Sequence, residues 1–311
     1  MGATDVEVSR FTLGGTPFGD MYAVVPDEQA VATVERAYEV GVRSFDTAPV
    51  YGVGKSERRL GLGIRGLPRD QITVCSKVGR TLQDDDGTIP PTFEYDEGAV
   101  LASLAGSRER IGVDRIDVVH VHDPDLHVDA ALAGAFPTLR RLQADGAIGA
   151  VGAGMNHTAP LCRFIEEGAV DCVLVAGRTS LLDQSALDDL LPLALERGVS
   201  VIAGGVFNSG VLADPDADPQ FVNYGYRPPA PEIFDRVARI RAVCERHGVG
   251  LRAAALQYPL LHPAVAAVVV GCRSPEEVAA NAADLELAIP DAMWSQLAVG
   301  GLVRPMRSYS H

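Results

Sequence analysis

Four residues combine types that serve proton transfer to or from a carbonyl oxygen. Asp46 and Tyr51 lie in Arg43-Ser-Phe-Asp46-Thr-Ala-Pro-Val-Tyr51-Gly52, Lys77 closes Cys75-Ser76-Lys77, and His122 falls in His120-Val121-His122-Asp123-Pro124. A phenol with a pKa of about 10 is a poor acid or base at neutral pH until a neighbouring ammonium stabilises its phenolate. Lys77 can supply that charge and Asp46 can anchor it, which leaves Tyr51 to carry the proton. His122 would orient the reacting oxygen and, with Tyr51, stabilise charge as a carbonyl becomes an alkoxide or the reverse. No metal is required for this chemistry. Taken singly, each residue has a structural role: Asp46 and Lys77 an ion pair, Tyr51 a loop aromatic, His122 a hydrogen-bonded core histidine. The joint set, at or just past the carboxyl ends of apolar runs, argues for catalysis.

Such residues need a scaffold that brings separate segments to one rim. Short apolar or β-branched runs recur near 11–15, 43–47, 72–77, 116–121, 148–153, 171–176, 199–205 and 265–271, with longer amphipathic stretches between them. Strand then helix, repeated, specifies a parallel α/β architecture. Asp27 to Glu39 reads as a helix that begins after Pro26 and ends at Gly41. Pro231 to His247 reads as another, with Ile233, Val237, Ile240, Val243 and Cys244 as its apolar positions. Eight uniformly apolar strands in one βα series suit a closed barrel better than an open sheet, because closure removes both edges. The expected fold is a single (β/α)8 TIM barrel, one domain over residues 1–311, with its chemistry on the loops at the carboxyl ends of the strands. Leu82 to Tyr95 and Asp214 to Pro231, rich in Asp, Pro and Gly, read as loops over the site.

Composition narrows the partners. Lys plus Arg is 27 against 41 Asp plus Glu, a formal net charge of −14, which disfavours nucleic acid and anionic membranes. The five cysteines, Cys75, Cys162, Cys172, Cys244 and Cys272, are scattered and form no CxxC pair, as expected of reduced thiols. With no apolar leader and no run of membrane-spanning length, a soluble cytoplasmic protein is expected. A literal GxGxxG at Gly61, Gly63 and Gly66 follows a helical stretch and precedes a strand, the reverse of the dinucleotide fingerprint. Gly54-Lys55-Ser56 ends like a P-loop, but Pro49 stands where the first glycine belongs.

FDTAPVYG, together with Lys77 and His122 at strand ends, resembles the aldo-keto reductase superfamily over essentially the whole chain. The strings GGTPFGDMY, HVHDPD, LVAGRTSLLDQ and GVFNSGVLA are most similar to its aldose and pyridoxal dehydrogenase branch. The resemblance implies a barrel that binds NAD or NADP across its carboxyl rim without a Rossmann domain and transfers hydride to or from a carbonyl. It assigns catalytic roles to Asp46, Tyr51, Lys77 and His122. It places the loop at Gly14 and Gly15 beside the nicotinamide, with Phe207 nearby and Asn208, Ser209 and Gly210 facing the pyrophosphate. Asn156 would stand in for the usual Ser-Asn pair on the carboxamide, and Ala176 replaces the usual strand-six Gln. The adenosine end would run from Gly271 through Arg273 and Ser274, a helix N-cap, to Asn281 at the adenine. Where NADP-preferring relatives carry Lys and Arg around the 2′-phosphate, this chain has Gly271 and Glu277. A carboxylate there repels phosphate and can accept a hydrogen bond from a free ribose hydroxyl. The resemblance therefore leans towards NAD, with Arg273 left as a phosphate partner for the NADP alternative.

Asp123 stands where many carbonyl-reducing relatives carry a large aromatic, which suits a polyhydroxylated or heteroaromatic substrate met by Asp123, Tyr51 and His122. Aldopyranoses and pyridoxal both form cyclic hemiacetals, whose oxidation gives a lactone directly. The expected partner is thus a small carbonyl or hemiacetal. Three rival readings are a general NADPH-dependent aldehyde or ketone reductase, a metal-dependent hydrolase built on His120-x-His122-Asp123, and a regulatory protein that holds the cofactor without turnover. His120, deeper on the same strand face as His122, is expected to be structural.

Overall fold

The computed structural model describes the chain apart from Tyr22, Asp85, residues 214–223, 225–228 and 307–311. Its strands are β1 (Phe11–Gly14), β2 (Ser44–Asp46), β3 (Thr73–Val78), β4 (Arg80–Thr81), β5 (Thr92–Phe93), β6 (Ile116–His122), β7 (Ile148–Met155), β8 (Cys172–Ala176), β9 (Ser200–Gly204) and β10 (Val265–Gly271). Eight of them close a parallel barrel in the order β1-β10-β9-β8-β7-β6-β3-β2, and β4 and β5 pair separately as an antiparallel hairpin. The helices are α1 (Asp27–Glu39), α2 (Lys55–Ile64), α3 (Glu97–Ile111), α4 (Val128–Ala130), α5 (Phe136–Ala144) and α6 (Thr158–Glu166). They continue with α7 (Leu190–Arg197), α8 (Pro231–Arg246), α9 (Leu251–Gln257), α10 (Pro275–Glu286) and α11 (Asp291–Val299).

Each of the eight apolar runs is a barrel strand, and both helices read from Pro and Gly punctuation are present as α1 and α8. The stretch Leu82 to Tyr95 is not wholly irregular, because Thr92 and Phe93 pair with Thr81 and Arg80. Of the other expected loop, only Tyr224 and 229–231 fall within the described residues.

The strands look apolar throughout because both of their faces are covered. On β6 every residue is buried. Its outward Val119 and Val121 join the core beneath the helices, while inward Val118 packs with Cys75, Ala150, Cys172, Leu174, Ile202 and Met1 inside the barrel. Side chains alternate along a strand, so Cys75 and Lys77 share the inner face of β3, and Val118, His120 and His122 that of β6. Register sets Asp46 beside Cys75, Lys77 beside His120, and His122 beside Gly154. The polar rim thus stands on an apolar floor that keeps water from below. No described helix is long and apolar enough to cross a membrane.

Candidate active site

Strands β2 and β3 deliver Asp46 and Lys77 to adjacent places at the rim. Lys77 Nζ donates to Asp46 Oδ2 at 2.6 Å, to Asp46 Oδ1 at 2.9 Å and to the Thr47 carbonyl at 2.9 Å. Those three bonds use every donor of the ammonium. The two side chains are 3% and 7% exposed. Burial alone would favour the neutral amine, but the Asp46 carboxylate outweighs it and holds the Lys77 pKa above the usual lysine range. Lys77 is a fixed cation, and it acts on Tyr51 through space, with Nζ 5.3 Å from the ring centroid.

Tyr51 sits on a loop packed closely against Gly19. Gly52, Val53 and Gly54 are all left-handed, with φ of 62°, 52° and 75°. A Cβ on Gly52 would lie 2.5 Å from Gly19 O, and one on Gly19 would lie 2.6 Å from Tyr51 C, so neither position accepts a side chain. The Tyr51 hydroxyl hydrogen-bonds with Thr16; burial pushes its pKa up while Lys77 pulls against that rise. Its ring meets His122 edge-on, with centroids 5.9 Å apart. Burial, with Lys77 and Arg80 close by, pushes the His122 pKa well below the ordinary imidazole value, so the ring is neutral. Its Nδ1 is buried without a partner, and its Nε2 lies 3.7 Å from Asp123 Oδ2. A neutral imidazole carries one N–H, and a carboxylate beside Nε2 favours placing it there. That tautomer can donate to a substrate oxygen.

His120 lies one layer below. It is fully buried, with Nε2 3.8 Å from Cys172 Sγ. Burial, and then Lys77, lower its pKa to about 3. Gly152 leaves room for its ring, since a Cβ there would lie 2.5 Å from His120 Cδ2. Asp123 turns the chain off β6 with a φ of 47° and pairs with Arg80 NH1 at 2.9 Å. Arg80 escaped the sequence reading; the only cue was its place three residues beyond Lys77, for Asp123 is 43 positions away.

The aldo/keto reductase family model matches residues 10–299. The chain belongs to the aldo/keto reductase family. It is 38% identical to a D-threo-aldose 1-dehydrogenase of a Pseudomonas species, over 97% of this chain and 96% of that one. It is 36% identical to a pyridoxal 4-dehydrogenase of Microbacterium luteolum over 97% of both, and 30% identical to an L-galactose dehydrogenase of Arabidopsis thaliana over 91% and 86%. Its fold is similar to that of an aldo-keto reductase of Bacillus halodurans in holo form, with a TM-score of 0.81 at 23% identity, covering 100% of this chain and 97% of that one.

As an aldo/keto reductase the chain is an NAD(P)-dependent oxidoreductase, and the rim residues fit that cofactor. Asn208 is buried with Oδ1 unpartnered, and it opens three successive left-handed residues, Asn208, Ser209 and Gly210, with φ of 48°, 58° and 105°. Gly14 pairs with Gly271 on one side and Asp46 on the other, so both glycines reach the rim. Gly15 owes its small size to packing, because a Cβ there would lie 2.5 Å from Ser56 Oγ. Asn156 follows β7, and its carbonyl accepts from Arg178 Nε at 2.8 Å. Phe207 is half-buried and packs on the main core.

Ser274 caps α10 by accepting from Glu277 N. Glu277 accepts from the Arg273 backbone N–H at 2.8 Å and from its guanidinium at 2.7 and 3.0 Å. Both ends of the Asn281 amide are engaged inside the protein, Oδ1 by Arg252 and Nδ2 by Cys272 Sγ. Gly61 and Gly63 lie within α2. Among the described residues no three His, Cys, Asp or Glu side chains gather as metal ligands would, and His157 pairs with Asp125.

Proposed function

We propose that this aldo/keto reductase oxidises the anomeric carbon of a cyclic aldose hemiacetal to a lactone, with NAD as the preferred acceptor. The observation that carries the reading is the Asp123 carboxylate beside His122, held by Arg80, where a wall for a plain aldehyde would be apolar. The similarity to an aldose and a galactose dehydrogenase supports it. Pyridoxal, also a hemiacetal, is the second reading, favoured by the pyridoxal dehydrogenase relative.

When bound, the nicotinamide would supply a hydride acceptor for the hemiacetal carbon, and forming the lactone carbonyl also requires loss of the hydroxyl proton. Tyr51, as phenolate, takes that proton. Lys77 stabilises the phenolate, and Asp46 holds the ammonium in place. His122 donates from Nε2 to the same oxygen and orients it. Gly14, Gly15, Asn156, Phe207, Asn208, Ser209 and Gly210 are assigned to the nicotinamide and pyrophosphate, and Gly271, Arg273, Glu277 and Asn281 to the adenosine end. Glu277 already engages Arg273, so a 2′-phosphate would meet a carboxylate and compete with it for the Arg273 guanidinium. Ribose hydroxyls would instead find an acceptor.

The test is a panel of L-fucose, D-arabinose, pyridoxal and simple aldehydes, each with both cofactors, followed by NADH or NADPH absorbance and by analysis for lactone. NAD-dependent lactone formation from an aldose is expected. Reduction of simple aldehydes by NADPH, with no turnover of any hemiacetal, would refute the reading.

A further inference from the structure

Above His122 the rim carries polar groups that hydride and proton transfer do not use. Gly79, with a φ of 95°, turns the chain off the end of β3 into β4, and a Cβ there would lie 2.7 Å from Tyr95 Cε1. The Tyr95 ring therefore seats on the turn. Register sets Arg80 opposite Phe93, and the guanidinium stands 5.6 Å from the Phe93 ring centroid. From there it reaches Asp123 Oδ2, which lies 3.7 Å from His122 Nε2. The Arg80 and Asp123 side chains are 32% and 36% exposed, so a ligand at the rim can meet them. Tyr95 is 6% exposed, yet its Oη has no hydrogen-bond partner. Burial, with Asp123 and Asp125 near, keeps that phenol protonated. That oxygen is closed to solvent, so Tyr95 serves the turn that carries Arg80 and does not meet a ligand at the rim.

We propose that Arg80, on a turn seated by the Tyr95 ring, and Asp123 form a hydroxyl-binding subsite beside His122 that selects a polyhydroxylated ring over a flat aromatic aldehyde. A sugar hydroxyl both donates and accepts. Here a guanidinium donates and a carboxylate accepts, so neighbouring hydroxyls of an aldopyranose can engage both. A pyridine aldehyde offers fewer such groups and gains nothing from a charged pair in place of an aromatic wall. The inference rests on the aldose reading above and narrows it.

Steady-state kinetics of the full chain with NAD test the subsite, using L-fucose, its monodeoxy analogues and pyridoxal on the wild type, Arg80→Met and Asp123→Asn. Asp123→Asn keeps the left-handed turn at φ 47° and removes the carboxylate. The wild type should favour L-fucose over at least one monodeoxy analogue by about 10- to 100-fold in kcat/KM, the worth of a hydrogen bond to a charged group. The difference should lie mainly in KM. In each variant that preference should shrink, because the group that read the hydroxyl is gone. Equal proportional losses on L-fucose and every analogue would overturn the subsite while leaving the aldose reading intact. Wild-type oxidation of pyridoxal but of no aldose would overturn both.

Discussion

Lys77 spends all three of its donors on Asp46 and Thr47, so Tyr51 receives its field and not a hydrogen bond. Burial raises the Tyr51 pKa, and oxidation requires the deprotonated phenol. The rate of oxidation should therefore climb as pH rises towards that pKa. No step from His122 should interrupt the climb near neutrality, because its imidazole is already neutral. Tyr51→Phe should remove the alkaline rise and lower kcat by about 100- to 10,000-fold, the usual contribution of a positioned acid or base. A pH–rate profile of both proteins checks this, and a rise that survives in the variant would show another base at work. At the adenosine end, Glu277→Ala frees the Arg273 guanidinium. The KM for NADP should fall about 10-fold or more relative to that for NAD, as expected for a recovered arginine–phosphate pair. An unchanged ratio would remove Glu277 from cofactor choice.

The first turn of α2 fastens the strands that carry this chemistry. Ser56 Oγ bonds Thr47 Oγ1 and the Gly15 carbonyl, each at 2.7 Å. Glu57, fully buried, accepts from Ser76 Oγ of β3 at 2.7 Å and from Arg110 Nε of α3 at 2.6 Å. Ser76 faces outward on the strand whose next residue, Lys77, faces inward, so Glu57 steadies the ammonium from behind. Glu57→Ala would strip Ser76 of this partner and leave Arg110 without its carboxylate, keeping only Ser107 Oγ at 3.4 Å; it should cost about 3–5 kcal/mol in urea unfolding, as for a broken buried ion pair. A loss below about 1 kcal/mol would mean that this anchor is dispensable. The barrel strands were legible because burial on both faces leaves a continuous apolar run, and α1 because Pro26 and Gly41 bracket it. The proton-transfer set was legible because its members stand at or just past the carboxyl ends of such runs. The β4–β5 hairpin was not, since two-residue strands show no alternation and the intervening Asp, Gly and Pro residues read as loop. Arg80–Asp123 and Glu57–Ser76 are tertiary pairings between elements, and nothing local marks them.

At the scale of the whole molecule, one closed barrel joins β1 to both β2 and β10, so the ends of the chain's strand series are hydrogen-bonded neighbours. If residues 1–311 form one domain, nothing can melt independently without opening that ring. Differential scanning calorimetry should record one cooperative transition, with the calorimetric and van't Hoff enthalpies equal. Two resolved transitions would divide the chain.

Gly79 separates two duties carried by one stretch of backbone. On its amino side Lys77 belongs to the barrel and to the buried pair with Asp46; on its carboxyl side Arg80 belongs to a short hairpin that touches the rest of the rim through side chains. A change in that hairpin can alter what is recognised without disturbing how the proton moves. The turn is thus a seam along which a gene duplicate could exchange one substrate for another, and residues 80–93 are the natural cassette for grafting specificity between relatives.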